Sequence, residues 1–315
     1  MLSVLAITFP FFALVLAGFA ATRRGLLPLS AIAGLNSFVL YFALPCMLYR
    51  FGAQTPIRQL LDPVVALVYL LCGLLLVAGT VMTTRVRWGW NDAAFGALVA
   101  AFPNSGFMGV PLLVALLGEA SAGTVIPTMA LDMIVTTSLC IALSRLSLGE
   151  GSALRALRMA LSGVLANPLP WSIALGALAS AASFTLPGPL DRTVAMLADA
   201  ASPVALFTIG AVLARSQMNA HERVAARDYV PVALAKLLVH PLLMWLACQA
   251  ARAAGLELSP LAVTTLVLVA ALPSASNVSL LAERFEAHGG RIARIILVST
   301  ALAFVTFSAA VALLV

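Results

Sequence analysis

Runs of about twenty apolar residues recur along the whole chain, and that length matches what a helix needs to cross the hydrocarbon core of a bilayer. Ten such runs can be counted, at roughly 2–21, 31–53, 62–84, 93–117, 123–144, 167–185, 198–214, 229–250, 259–282 and 292–314. They predict an all-α polytopic membrane protein with ten transmembrane spans. Composition excludes a soluble alternative, because 62% of the residues are hydrophobic and only 10% are charged. A soluble chain this apolar could not cover its own surface with polar groups. All four cysteines, Cys46, Cys72, Cys140 and Cys248, fall inside apolar runs, which argues against a disulfide framework.

The net charge of +6 raises the question of nucleic acid, but the arginines lie scattered between apolar runs and form no basic domain. No positive stretch precedes the first apolar run and Arg23-Arg24 follows it, so this run reads as a retained helix rather than a signal peptide. The odd-numbered connections carry Arg23, Arg24, Arg85, Arg87, Arg145, Arg155, Arg158, Arg215, Arg223, Arg227, Arg284, Arg291 and Arg294. That is 13 of the 18 basic residues. Cytoplasmic loops are enriched in Lys and Arg, so the odd connections are expected in the cytoplasm and both termini outside, in a bacterial inner membrane. The longest connection, 146–166, is expected to be a cytoplasmic loop. It holds a short amphipathic surface helix around Leu154–Leu161 with Arg155 and Arg158 on its wet side.

The halves of the chain echo each other. Leu5-Ala6 followed by Pro10 in span 1 resembles Leu165-Ala166 followed by Pro170 in span 6. Pro45 through Gly52-Ala53 in span 2 resembles Pro203 through Gly210-Ala211 in span 7, and Ala100-Ala101-Phe102-Pro103 resembles Ala270-Ala271-Leu272-Pro273. Spans 5 and 10 show no such match. Five spans per copy is an odd number, so a second copy enters the membrane from the opposite side. The expectation is a 5+5 inverted repeat, with copies at 1–145 and 167–315, an arrangement characteristic of secondary transporters. Coincidence among proline and glycine in ten apolar helices is the competing explanation.

Spans 4 and 9 cannot be continuous helices. Span 4 reads Phe102-Pro103-Asn104-Ser105-Gly106-Phe107-Met108-Gly109-Val110-Pro111, and span 9 reads Pro273-Ser274-Ala275-Ser276-Asn277. Proline removes a hydrogen-bond donor and clashes with the preceding turn. Unwound backbone at membrane depth survives only where it is buried in protein or lines a wet cavity. Paired breaks at corresponding positions point to a substrate site, here Pro103, Asn104, Ser105 and Gly106 with Pro273, Ser274, Ser276 and Asn277. The new half-helices would turn free N–H groups and a positive dipole end toward the midplane, which suits a small organic anion. The alternative is a pair of proline kinks packed against neighbouring helices.

These residues carry a resemblance. Leu44-Pro45, Pro103-Asn104 through Gly109-Val110-Pro111, and Pro273 through Asn277 leading to Leu281-Ala282-Glu283-Arg284-Phe285 resemble the auxin efflux carrier family, which includes plant PIN-type carriers and bacterial organic-acid permeases. The resemblance covers nearly the whole chain. It implies a scaffold part from spans 1, 2, 6 and 7, a transport part from spans 3–5 and 8–10, crossed broken helices 4 and 9, an elevator-type motion and a homodimer. The crossover Asn and Pro positions carry over to Asn104, Pro103, Asn277 and Pro273. Asn277 lies four residues after its proline whereas Asn104 is adjacent to its own, so the two need not play identical roles. The long cytoplasmic loop of the longer plant carriers is absent.

Asp132, Lys236 and His240 lie well inside spans, whereas Arg50 sits near the outer end of span 2, where it reads as an interfacial anchor. Asp132 lies about ten residues into span 5, roughly 14 Å deep at 1.5 Å per residue. It is a candidate for carrying a coupling proton or ligating Na⁺, or else a buried structural Asp. Lys236, the sole lysine, either snorkels to the headgroups, pairs with Asp132 or attracts an incoming anion. His240 follows one turn later, as a structural imidazole or a proton relay. Trp88 and Trp90 read as interfacial anchors. No phosphate-binding Gly-rich loop with Lys, no nucleophile elbow and no zinc-protease helix is present, since His221-Glu222 lacks its second His, so neither enzyme chemistry nor a cofactor or metal is expected. A cation carrier would ordinarily show more than one membrane carboxylate, and a sensor or subunit role would leave the short loops without a signalling domain. Malonate, malate and indole-like acids all remain open as substrates.

Overall fold

The computed structural model describes residues 2–146, 152–218 and 224–315. His221, Arg223 and the first part of the 146–166 connection lie outside the described residues. Among those described, the secondary structure is helical, with one isolated antiparallel bridge between Pro103 and Ser274. Apolar chains in lipid must satisfy every backbone group internally, and the helix does so within each segment.

In chain order the helices are α1 (Leu2–Arg23), α2 (Ala31–Gln54), α3 (Ile57–Leu60), α4 (Pro63–Ala101), α5 (Ser105–Leu117), α6 (Glu119–Ser144), α7 (Ser152–Ala166), α8 (Pro168–Ala181), α9 (Gly188–Met218), α10 (Val230–Ala253), α11 (Pro260–Ala271), α12 (Val278–Arg284) and α13 (Gly289–Leu314). Seven segments are long and apolar enough to cross a membrane: Ala6–Arg23, Ala31–Gln54, Ile57–Ala101, Glu119–Ser144, Gly188–Met218, Val230–Ala253 and Gly289–Leu314. Three apolar helices, α5, α8 and α11, are shorter. The chain is therefore a multi-pass membrane protein.

The difference from ten equal runs has local causes. Expected span 4 is shared between the end of α4 and α5, with the helix interrupted at Phe102–Asn104. Expected span 9 is divided between α11 and the seven-residue α12. Span 6 shrinks to the 14 residues of α8, opened by Pro168 with Asn167 accepting from the Leu169 N–H at 3.0 Å. Gly89 breaks α4 internally, adopting φ 70° and ψ 177°, a left-handed φ that glycine tolerates without a Cβ clash. The connection before α8 carries helix α7, longer than the stretch expected there, with Arg155 and Arg158 exposed.

Three helices contain a wider, π-type turn immediately before a proline pair: Val39–Ala43 before Leu44-Pro45, Ser105–Gly109 before Val110-Pro111, and Ala235–Val239 before His240-Pro241. A proline ring collides with the carbonyl four residues back, and widening the turn relieves the clash without ending the helix. A fourth such turn, Asp132–Thr136, has no proline after it.

The chain divides into two compact units, each drawn from both halves of the sequence. The first comprises Met1–Asp62, Ser105–Pro127 and Asn167–Asn219; the second comprises Pro63–Asn104, Thr128–Ala166 and Ala220–Val315. In the first unit, α1 packs on α9 and α2 on α8 with glycine at each contact. A Cβ on Gly18 would overlap the Phe207 carbonyl, and one on Gly210 would overlap the Val15 carbonyl. A Cβ on Gly176 would come within 2.6 Å of the Tyr49 carbonyl and 3.0 Å of the Gly52 Cα. Small residues let backbones approach closely, which is how helices adhere where no hydrophobic driving force separates them from lipid. In the second unit, α4, α10, α11 and α13 pack around the two chain breaks and a set of buried polar side chains.

Candidate functional site

Both breaks belong to the second unit, where they join backbone to backbone. Pro103 has no N–H and ends α4; Pro273 does the same after α11. The freed groups pair with each other. The Asn104 N–H donates to the Pro273 carbonyl at 2.8 Å, and the Ala275 N–H donates to the Phe102 carbonyl at 3.0 Å. Two unwound segments thus form a single-bridge antiparallel ladder centred on Pro103 and Ser274. Buried backbone donors need partners, and this exchange provides them where neither helix can continue. The Ser274 N–H turns instead to the Ser299 hydroxyl on α13, at 3.2 Å.

Side chains around the bridge are buried. Pro103, Asn104, Pro273, Ser274 and Ser276 are enclosed, while Asn277 is exposed at the start of α12. The Ser274 hydroxyl is buried with no hydrogen-bond partner among the described residues. A buried hydroxyl of this kind is uncommon and calls for an explanation such as a bound group. Ser105 and Gly106 open α5 and pack with the first unit, where the Ser105 hydroxyl is likewise buried without a partner among the described residues.

A second cluster lies in the same unit. Lys236 is fully buried, so it does not snorkel. Its ammonium donates to the Ala270 carbonyl at 2.7 Å and lies 3.0 Å from His240 Nδ1. The helical donor for the Ala270 carbonyl would be the Ser274 N–H, which is committed to Ser299. Lys236 therefore caps the end of α11 just before its break, a cation at the negative end of a helix dipole. A charged lysine has no lone pair and would require Nδ1 to accept, with the hydrogen on Nε2. That Nε2 is buried with no partner among the described residues.

Asp132 is also buried. Its carboxylate accepts from the Tyr69 hydroxyl at 2.5 Å and from the Thr136 hydroxyl at 3.0 Å, while the Thr137 hydroxyl donates to its backbone carbonyl at 2.8 Å. The π-type turn that starts at Asp132 displaces the backbone ladder and leaves that carbonyl to Thr137. Asp132 and Lys236 form no ion pair within 4.0 Å. The structure therefore joins Lys236 to His240 and to the break of α11, and holds Asp132 in a separate hydroxyl cage. Tyr69, Thr136 and Ser299 were not singled out from sequence. Tyr69 is the one that offered a signal, as a phenol within an otherwise apolar run of α4.

Among the described residues no group of three or more His, Cys, Asp or Glu side chains is placed to hold a metal ion.

Known proteins resemble this chain along nearly its whole length. Residues 3–311 match the model of a family described as "Membrane transport protein". A protein of Rhizobium meliloti (strain 1021) named "Putative malonate transporter" is 28% identical over 312 residues, covering 97% of this chain and 94% of the relative. The "Uncharacterized transporter YfdV" of Escherichia coli (strain K12) is 24% identical over 292 residues, covering 89% of this chain and 87% of the relative. Relatives named as transporters, in a family of membrane transport rather than of enzymes, share nearly the full length of the chain. With the family match running almost end to end, the chain belongs to the membrane transport proteins, the auxin efflux carriers that its break motifs resemble.

Proposed function

We propose that the protein is a secondary active transporter of small organic anions, carboxylates of the malonate and malate class, which binds its substrate at the paired breaks. The observation that carries this reading is the backbone bridge between Phe102–Asn104 and Pro273–Ala275, which brings two unwound segments together at buried positions. Unsatisfied polar groups beside it, the Ser274 hydroxyl foremost, offer directional contacts without a fixed charge. A carboxylate held by amides and hydroxyls can be released again, whereas one held by a buried arginine pays a larger cost on leaving. The relative whose name includes malonate supports the substrate class.

Under this reading the chain is a 5+5 inverted repeat with broken, crossed spans 4 and 9. The glycine contacts support it. Gly18 meets the Phe207 carbonyl and Gly176 meets the Tyr49 carbonyl, and the differences 176 − 18 and 207 − 49 are both 158. Exchanging the halves thus maps one contact onto the other. The same offset pairs Gly52 with Gly210, Pro45 with Pro203 and Pro10 with Pro168, which refines the register of spans 1 and 6 by two residues from a Pro10–Pro170 match. The first unit contains spans 1, 2, 6 and 7, in keeping with a scaffold, but also Ser105–Pro127 from spans 4 and 5, which the resemblance assigns to the transport part; the second contains the bridge and the buried charges, in keeping with a moving transport part that works by an elevator motion. Asp132 is the residue for a coupling H⁺ or Na⁺. Lys236 and His240 tie the end of α11 to α10, so that a change in their contacts would be felt at the break. Homodimeric assembly, and a bacterial inner membrane with both termini outside, follow from the family resemblance and from the arginine distribution.

The test is charge displacement in liposomes containing the purified protein, on addition of a panel of dicarboxylates and indole-type acids. A transient with one acid that disappears in both Asn104→Ala and Asn277→Ala supports the reading, and imposing a proton or sodium gradient on Asp132→Asn then tests coupling. Radiolabelled flux covers an electroneutral cycle. Neither charge movement, flux nor binding for any acid would sink the organic-anion reading.

A further inference from the structure

A cavity of about 230 Å³ lies elsewhere in the second unit, between α4 just before its Gly89 break and the N-terminal ends of α10 and α13. It is lined by Thr80, Thr83, Thr84, Arg87, Trp88, Arg227, Asp228 and Arg291 together with apolar residues of α10. None of the break or cluster residues described above lines it. Its volume is many times the roughly 10–15 Å³ that one water needs.

The charges are arranged for an anion. Three guanidinium groups face one carboxylate, and that carboxylate is already engaged, since Arg87 Nη2 lies 2.9 Å from Asp228 Oδ1 and donates to Oδ2 at 3.0 Å. Arg227 is exposed and has neither hydrogen bond nor ion pair among the described residues. Arg291 is 1% exposed and held rigidly: its Nε donates to the Asp228 carbonyl at 2.8 Å, its Nη1 to the Asp92 carbonyl at 2.9 Å, and its guanidinium sits 4.8 Å from the Trp88 ring centroid. Gly96 leaves it room, because a Cβ there would stand 2.9 Å from Nη1. The remaining nitrogen, Nη2, is buried without a partner among the described residues. Leaving a buried charged donor unmet costs more than an ordinary lost hydrogen bond, and guanidinium groups suit phosphate oxygens in particular.

We infer that this cavity binds an anionic phosphate group, with Arg291 as its buried donor, Arg227 as its exposed one and Arg87 completing the field. The headgroup of an acidic phospholipid and a soluble phosphate compound share this chemistry. The surroundings favour the lipid. Beside the cavity-lining residues of α4 and α10 stand Met82, Val86, Leu234 and Leu238, all exposed and apolar. All three arginines fall in stretches that the sequence reads as odd-numbered, arginine-rich connections, and Trp88 is of the type found at the headgroup level. Basic pockets between transmembrane helices commonly take acidic headgroups.

The experiment is native mass spectrometry of the full chain in detergent, titrated with phosphatidylglycerol, with zwitterionic phosphatidylcholine and, as a competitor, with inorganic phosphate. Wild type retains phosphatidylglycerol in preference to phosphatidylcholine. Arg227→Gln, an exposed change that spares the fold, weakens that retention about fivefold, the factor of one basic residue near an acidic surface, and Arg87→Gln weakens it as well. Arg252→Gln, an exposed arginine outside the cavity, behaves as wild type. Inorganic phosphate that binds and is lost in Arg227→Gln, without lipid retention, assigns the same site to a soluble ligand. Equal retention of both lipids with no phosphate binding, or an Arg252→Gln loss as large as that of Arg227→Gln, overturns the inference.

Discussion

In the first unit the tightest approaches are backbone against backbone. Gly18, Gly52, Gly176 and Gly210 bring α1 onto α9 and α2 onto α8, and the buried polar side chains there are neutral hydroxyls such as Thr8, Thr22, Thr55 and Thr208. In the second unit the buried set includes Asp132, Asp228, Lys236, His240 and Arg291, and these are all the buried Asp, Lys, His and Arg side chains among the described residues. One region relies on close backbone contact, with its Arg50–Asp199 ion pair left partly exposed. The other holds charges whose partners are few and exchangeable. Buried ionisable groups are costly in a membrane and are retained where function needs them. The contrast is in keeping with the proposed division into a scaffold and a transport part.

The largest expected effect tests the first half of that comparison. Gly210→Val should reduce the folded, monodisperse fraction in detergent severely, because its side chain must occupy the space of the Val15 carbonyl and overpacking costs about 1–3 kcal/mol or more. If the variant keeps its thermal midpoint, the close backbone contact is not what holds α1 to α9. Next comes Lys236→Met, which strips the Ala270 carbonyl and His240 Nδ1 of their donor. A loss of about 1–3 kcal/mol is expected in thermal or denaturant unfolding, together with loss of transport in excess of the loss of folded protein. A fully stable, inactive variant would instead make Lys236 purely functional.

A smaller change is expected for Tyr69→Phe. It deletes one donor to Asp132, worth about 1 kcal/mol, and leaves Thr136 in place. Its informative readout is the ratio of flux with and without an ion gradient, which moves only if Asp132 takes part in coupling. The smallest effect is expected from Gly79→Ala on α4, where a Cβ meets nothing within 4 Å. Helix propensity there favours alanine by up to about 1 kcal/mol, so the thermal midpoint should hold or rise slightly. A marked drop would show that glycines matter for some reason other than close approach, and would blur the comparison with Gly210.

Much of the site was legible in the chain itself. Pro103-Asn104 and Pro273 announce interruptions because proline lacks a donor, a property of one residue and its immediate neighbours. Asp132, Lys236 and His240 stand out because charge is rare in apolar runs. Their partners did not stand out. Lys236 has a four-carbon stem that reaches a headgroup as readily as a buried carbonyl, and nothing local says that the Ser274 N–H would turn to Ser299 and leave Ala270 to the lysine. The Tyr69–Asp132 contact joins positions 63 residues apart, beyond any periodicity argument. Lengths misled in the same way: the run expected as span 6 is set short by a proline and Asn167 cap at one end and a turn at the other, so only the 14-residue α8 remains.

The sequence by itself determined that the chain crosses a membrane many times, where its helices must break, and which few side chains carry charge inside. These follow from the partitioning of residues one by one between water and lipid, and from the covalent geometry of proline. Only the tertiary structure decided that the breaks pair with each other, that Lys236 caps α11, that Asp132 sits in a hydroxyl cage, and that each compact unit draws on both halves of the chain. Those outcomes depend on which distant backbones come close enough to exchange hydrogen bonds. In lipid, where apolar contact with a neighbouring helix is no better than contact with an acyl chain, that choice rests on glycine clearance and on satisfying buried donors.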